Sequence, residues 1–305
     1  MKQKNKIVML LITAVLVAVC WIGQAFTQVI SDEPLKATIS LDKEKYLINE
    51  PIWLTIIMEN ISKDKILEAS ADPLTGKVRI EVVSHEGDTL YGGCIIGNAV
   101  GTPPTLEPGE RDIYFVNLIG SLCNYGIKYE DALHYGRLIP EGEYYIQATV
   151  RYRYQEKTTP VLTNKLNFKV EKPKGDEKKA YELLVKGRKK CYPEKKWKEG
   201  RQMIWRMIEH YPNSVYGDAA LELVANFEYH PEEGMEFIGK NPNSGLVASV
   251  IFAVTPKTGK SAERKKFFEH IIKKYPKTKA AMYAENKLDK WRRGKIWVDE
   301  PIPKD

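Results

Sequence analysis

The chain has 305 residues, of which 43% are hydrophobic and 29% are charged, and its formal net charge is +7. This is the composition of a globular protein long enough for two ordinary domains, and it argues against a disordered chain. The charge is unevenly divided, because positions 1–30, 31–170 and 171–305 carry net charges of +3, −5 and +9. The change of sign predicts a boundary near residue 171 and favours anionic partners for the C-terminal part.

Residues 1–25 have the pattern of an export signal. Lys2, Lys4 and Lys6 precede an uncharged run over residues 7–23, and small residues then follow at the position that a signal peptidase needs. We therefore predict a signal peptide over residues 1–25. Two alternatives stay open: an uncleaved anchor, because the run lies at the lower edge of what spans a bilayer, and a lipid on Cys20. All three predict an exported, periplasmic or cell-envelope protein.

Residues 36–170 show the alternation of apolar and polar side chains that is typical of β-strands. Near residue 53, Leu54, Ile56 and Met58 fall on one face of a predicted strand and Trp53 falls on the other. Because both faces are largely apolar, we predict that this strand is central in its sheet.

Turn signals at residues 86–88, 107–110 and 140–142 divide the same part of the chain into short strands. The first turn follows an alternating run over residues 78–82 and predicts a β-hairpin. Roughly seven short strands separated by turns predict an all-β sandwich over residues 36–170.

The most recognisable motifs of this part are Tyr46 and residues 49–52, 59–62, 106–110 and 140–144, among them Leu-Glu-Pro-Gly-Glu and Pro-Glu-Gly-Glu-Tyr. Together they resemble the immunoglobulin-like modules of exported bacterial proteins, including macroglobulin-type domains. The resemblance implies a sandwich that serves as a spacer, an adhesive domain or, in some relatives, a peptidase inhibitor.

A long stretch between Gly92 and Leu138 fits the strand pattern poorly and contains Cys94 and Cys123. We predict a disulfide between these cysteines, which would stabilise the fold by roughly 3 to 4 kcal/mol. Two unpaired buried thiols are the alternative. The same loop is where an enzyme would carry its site, because long loops on rigid scaffolds often carry function. A metal site of both cysteines with His134 is not expected, since the disulfide needs fewer coincidences.

A polar linker is predicted at residues 171–176, after which the apolar period becomes helical over residues 177–294. Three similar phrases punctuate this part, beginning at Tyr211, Asn241 and Tyr275, and they are spaced 30 and 34 residues apart. A repeat of this length predicts stacked helical hairpins, because one hairpin cannot bury its apolar face alone.

Each phrase ends in a hydroxyl residue, Ser214, Ser244 or Thr278, which is predicted to cap the following helix while the proline ends the preceding one. Residues 211–220 resemble the tetratricopeptide repeats of envelope proteins such as periplasmic outer-membrane assembly lipoproteins. The resemblance implies contact with other proteins through a concave helical surface. Residues 295–305 are predicted to be a C-terminal tail.

A dense run of basic residues opens the helical part and is interleaved with Trp197 and Trp205. Such a run can bind nucleic acid, but an exported protein meets acidic proteins, anionic polymers and membrane surfaces first, so no nucleic-acid partner is expected. A solvated helix face is the plain alternative. The predicted partner-binding residues are Lys186, Arg188, Lys189, Lys190, Lys195, Lys196, Lys198 and Arg201.

The sequence contains no Gly-x-Ser-x-Gly elbow, no His-Glu-x-x-His helix and no phosphate-binding glycine-rich loop. We therefore predict a non-catalytic cell-envelope protein, without cofactor or metal, that binds envelope or secreted proteins through its helices and its sandwich. An enzyme centred on the Gly92 to Leu138 loop and a binder of anionic envelope polymers are the alternatives. The predicted fold class is an all-β immunoglobulin-like sandwich followed by all-α tetratricopeptide-like hairpins. No oligomeric state is predicted.

Overall fold

Strands come first along the chain and helices follow. The computed structural model describes residues 33–73, 76–93, 104–118, 139–191, 194–225, 230–256 and 261–293. The strands in these ranges are β1 Leu35–Leu41, β2 Lys45–Leu47, β3 Trp53–Asn60, β4 Leu67–Glu68, β5 Val78–Ser84, β6 Thr89–Gly93, β7 Thr105–Leu106, β8 Arg111–Asn117, β9 Gly142–Tyr154, β10 Lys157–Leu162 and β11 Leu166–Glu171. The helices are α1 Gly175–Cys191, α2 Trp197–His210, α3 Gly217–Val224, α4 Pro231–Lys240, α5 Val247–Val254, α6 Ser261–Lys274 and α7 Lys279–Arg292.

The strands form two sheets that share one apolar core. β1, β3 and β8 make an antiparallel three-stranded sheet with β3 at its centre. The larger sheet is built around β9, which pairs with β4, β5, β10 and β11, and it is mixed because β2 runs parallel to β11. Leu54 and Ile56 of the small sheet and Ile146 and Val150 of the large one are fully buried in the shared core. The predicted hairpin is confirmed as β5 and β6.

The strand β3 is buried on both faces, as its sequence predicts, but its second face meets helices. Leu54, Ile56 and Met58 lie in the core between the sheets. Trp53 lies instead in a core formed with α4 to α7 and is 6% exposed. Gly245 permits this packing, because a Cβ there would stand 1.9 Å from the indole ring. The three-stranded sheet therefore separates the larger sheet from these helices.

The helices bury two apolar cores. The first, between α1, α2 and α3, contains Leu184, Ile204 and Tyr216. The second core is formed by α4, α5, α6 and α7 together, and it contains Val250 and Ile271, both fully buried. The helical period of the sequence therefore identifies the buried faces correctly.

Each proline phrase joins two helices that pack together, as predicted: α2 to α3, α4 to α5, and α6 to α7. The predicted cap is confirmed only in the last phrase, where the Thr278 hydroxyl accepts a hydrogen bond from the Ala281 N–H at 3.3 Å. In the other two phrases an extra turn separates the serine from the helix that follows. Each serine accepts the N–H two residues further on, inside that turn, at 3.2 Å for Ser214 and 3.0 Å for Ser244. Ser214 also donates to Glu177 at 2.7 Å and Ser244 to Asp218, so each serine ties its turn to an earlier helix.

The predicted fold class is wrong, because the chain is a mixed α/β protein. The described residues from Pro34 onward belong to one compact unit, with helices packed on strands. Polar contacts join the two kinds of element as well, since the Tyr216 hydroxyl donates to the Ile48 carbonyl at 2.8 Å and the Asn286 amide donates to the Ile113 carbonyl at 3.1 Å. Periodicity failed here because it reports whether a face is apolar but not which element covers that face.

Candidate binding site

The helices α1 and α2 carry the predicted partner-binding residues and cross at two glycines. A Cβ on Gly187 would lie 2.6 Å from the Ile204 side chain, and a Cβ on Gly200 would lie 2.4 Å from the Cys191 Sγ. Only residues without side chains permit this approach. The crossing fixes the position of α2 and therefore the direction of its exposed side.

One side of α2 exposes two tryptophans. Trp197 is 50% exposed and Trp205 is 39% exposed. The helical period places Arg201 on the same side between them, while Ile204 and Met207 face the core. We define the basic aromatic face by six residues of this region: Lys195, Lys196, Trp197, Lys198, Arg201 and Trp205.

Four predicted lysines are exposed and form no ion pair with the described residues. These are Lys186, Lys189, Lys195 and Lys198. Two others are paired, because Glu194 lies 2.6 Å from Lys190 and 3.6 Å from Lys196. The hydrogen bond that Lys190 donates to Glu194 raises the pKa of Lys190. Unpaired positive charge therefore concentrates at the start of α2 and on α1.

The two predicted arginines both interact with other helices of the fold, although Arg201 is exposed. Arg201 donates from Nη2 to the Val224 carbonyl at 2.6 Å, where a cation stabilises the C-terminal end of α3. Arg188 is half-buried, and its charge acts on the Glu222 carboxylate. The cations that remain accessible to a partner are therefore mainly lysines.

The stretch between Gly92 and Leu138 is described only in part, and its described residues 104–118 contain β7 and β8. Its cysteines and its histidine, Cys94, Cys123 and His134, lie outside the described residues, so the predicted disulfide and the enzyme alternative stay predictions. Cys191 is described, and its thiol is free and buried. Burial raises the pKa of that thiol, which makes it a poor nucleophile. Within the described ranges, no group of three His, Cys, Asp or Glu side chains could hold a metal ion.

A second polar cluster lies where the strands meet the helices, and the sequence did not predict it. Ser244 donates to Asp218, and the Asn117 amide donates to Glu222 at 3.5 Å. Asn117 pairs across the sheet with Trp53, whose ring packs on the residue next to Ser244. Among the described residues, neither the Trp53 Nε1 nor the Lys279 Nζ has a hydrogen-bond partner, although both atoms are buried.

Burial shifts the pKa values of three side chains in this cluster. Desolvation raises the pKa of Asp218, against the hydrogen bond from Ser244, and it also raises the pKa of Glu222. Desolvation lowers the pKa of Lys279, against the attraction of Asp42 and Asp218. Burial therefore disfavours the charged form of all three side chains.

Sequence reasoning missed this cluster because its members come from strands and helices far apart in the chain. The only local signal is the repeated phrase itself, since Ser244 belongs to the second copy. Its partner Asp218 lies 26 residues earlier. Periodicity in a sequence reports neighbours within a few residues and does not show a contact at that separation.

Comparisons with known proteins add little. The chain matches no protein-family model and no curated protein. A putative ApaA protein from Bordetella pertussis is 14% identical with a TM-score of 0.28, over 46% of this chain and 98% of that one. The sporulation control protein Spo0M from Bacillus subtilis is 10% identical with a TM-score of 0.26, over 50% of this chain and 55% of that one. Such TM-scores define no common fold. In the described part of the chain, no helix is long and apolar enough to cross a membrane.

Proposed function

We propose that this chain is a non-catalytic binding protein of the cell envelope that holds an anionic partner on its basic aromatic face. The observation that carries the proposal is the pair of exposed tryptophans beside lysines that have no carboxylate partner among the described residues. Exposed apolar groups rimmed by polar residues mark interaction sites, and tryptophan is enriched where proteins bind. Acidic proteins, anionic polymers and membrane surfaces all supply the complementary charge.

Two further features support this role. The C-terminal part carries a net charge of +9, which raises the local concentration of anions and their rate of association. The glycine crossing of α1 and α2 holds the face in place before any partner arrives. A preformed surface loses less conformational entropy on binding than a flexible one does.

The envelope location rests on the pattern of residues 1–25. Subcellular fractionation followed by mass spectrometry of the intact protein tests it. We expect an exported chain that begins at Phe26. A chain that keeps Met1 and stays in the cytosol would contradict the location and leave the binding face untouched.

Charge reversal on and off the face tests the binding role. Lys195→Glu with Lys198→Glu removes two cations of the face, and Lys36→Glu with Lys157→Glu is the matched control. The control changes the net charge equally on exposed strand residues without described ion pairs. On a heparin column in a salt gradient, we expect the control to elute near the wild type and the face variant to elute at clearly lower salt. Equal elution of the two variants would reject the face as the binding site.

A further inference from the structure

We infer that the partner of the basic aromatic face is the surface of an anionic phospholipid bilayer, a proposal that rests on the proposed function. Its first support is the kind of cation that the face offers. Protein interfaces are enriched in arginine and depleted in lysine. Here three of the four cations of the face are lysines, and the fourth, Arg201, is exposed but donates through Nη2 to the Val224 carbonyl. Lysine beside tryptophan is the composition of surfaces that lie on membranes.

The spacing of the two indoles gives the second support. Trp197 and Trp205 lie eight residues apart on one side of α2, which is roughly 12 Å along the helix axis. Around the helix the two indoles lie about 80° apart with Arg201 between them, and buried Ile204, seven residues after Trp197, brings the core side close to that first ring. Both rings can therefore meet one bilayer surface at the level of the head groups, beside the buried side of α2. Lysines at its N-terminal end then reach lipid phosphates.

Lys186 and Lys189 on α1 extend the positive charge beyond α2. Each lysine near an anionic bilayer contributes a factor of about five in affinity, and this contribution is screened by salt. Single lysines therefore matter little. Two or more, together with two indoles, are enough for measurable binding.

The test uses the chain from Phe26 onward, the exported form expected above, so that residues 1–25 neither bind vesicles nor add an indole signal. The probes are vesicles of phosphatidylcholine with about a third phosphatidylglycerol, and vesicles of phosphatidylcholine alone, at low salt. Brominated lipids quench indoles at the bilayer surface. We expect quenching with anionic vesicles, and its loss in Trp197→Phe with Trp205→Phe. Lys195→Glu with Lys198→Glu should weaken binding at least about 25-fold.

Two controls separate the face from the rest of the molecule. Phe252→Ala removes an aromatic ring that is 50% exposed elsewhere, and Lys36→Glu with Lys157→Glu matches the charge change. Both should leave vesicle binding unchanged. Circular dichroism should show that all variants keep their helices, since every changed side chain is exposed.

The outcomes distinguish this inference from the proposed function. Quenching that does not depend on Trp197 and Trp205, or equal binding to neutral vesicles, rejects the bilayer as the partner. If heparin retention still depends on Lys195 and Lys198, the face remains a binding site for an acidic protein or polymer. If neither probe responds to these lysines, both proposals fail.

Discussion

At the scale of single residues, the absence of one methyl group sets the position of α2. Gly200 brings its helix so close to α1 that a Cβ would meet the Cys191 Sγ at 2.4 Å and the Gly187 carbonyl at 2.6 Å. Neither neighbour can move easily, because one is a buried thiol and the other is helix backbone. Gly200 therefore lowers the helix propensity of α2, but its missing side chain allows the two helices to pack closely.

We expect Gly200→Ala to lower the free energy of unfolding by about 1 to 3 kcal/mol, because the added methyl group must push the two helices apart. Gly217→Ala is the control, since nothing lies within 4 Å of a Cβ at that first residue of α3. The control should be neutral or slightly stabilising. Urea unfolding measures both. Equal stability of the two variants would mean that the crossing is looser than described.

At the scale of elements, the three related turns use their hydroxyl residues in two ways. Thr278 caps α7 directly, whereas Ser214 and Ser244 bond to carboxylates of earlier helices. The difference follows from the length of the turn. Where a helix begins directly after the phrase, the hydroxyl accepts an N–H of the first helical turn, and where two more residues intervene, it accepts the N–H of Tyr216 or Leu246 just before the helix.

Thr278→Ala should reduce stability by about 1 kcal/mol, since the first turn of α7 loses an acceptor for its free N–H groups. Thr278→Asp should retain most of the stability, because a carboxylate accepts the same hydrogen bond and suits the positive end of the helix dipole. Thermal unfolding followed by circular dichroism compares the two. A Thr278→Asp variant as unstable as Thr278→Ala would show that the threonine methyl group, and not the capping hydrogen bond, stabilises the protein.

At the scale of the whole molecule, a buried ion pair joins the strands to the last helix. Asp112 of β8 is buried and bonds to Lys290 of α7, and its Oδ2 accepts the Ala71 N–H at 2.9 Å. Burial alone would raise the pKa of Asp112, but the charge and hydrogen bond of Lys290 outweigh it and hold the pKa below its ordinary value. The stability that the pair contributes is present above about pH 4, and it is lost as the pH falls through the lowered pKa.

We expect Lys290→Met to lower the free energy of unfolding by about 3 to 5 kcal/mol at pH 7, because it leaves a buried carboxylate without its cation. The deficit should shrink as the pH falls, since a protonated Asp112 needs no partner. Asp112→Asn with Lys290→Met should recover much of the loss. Chemical unfolding at pH 7 and pH 4 measures these differences. A deficit that is independent of pH would indicate lost packing by the lysine stem and not an unpaired charge.

The sequence predicts the local elements of this protein better than their assembly. Alternation identified β3 and its two apolar faces, and the helical period identified the part of the chain that forms helices. The alternation did not show that helices cover the outer face of β3, because an apolar Trp53 fits the pattern equally well whether a sheet or a helix packs on it. For the candidate site, the basic run and both tryptophans were visible in the sequence. The close approach of α1 and α2 at their glycines could not be predicted, because it depends on contacts between helices. The same is true of the ion pairs that engage some lysines and not others.

The burial of Trp53 also governs how the protein can be made. Synthesis delivers the indole first and delivers α7, which completes the apolar core around it, more than 200 residues later. The strands of the nascent chain therefore keep an uncovered apolar face until nearly the whole chain has been synthesised. Maturation of this protein requires either fast completion or a chaperone that shields that face in the meantime.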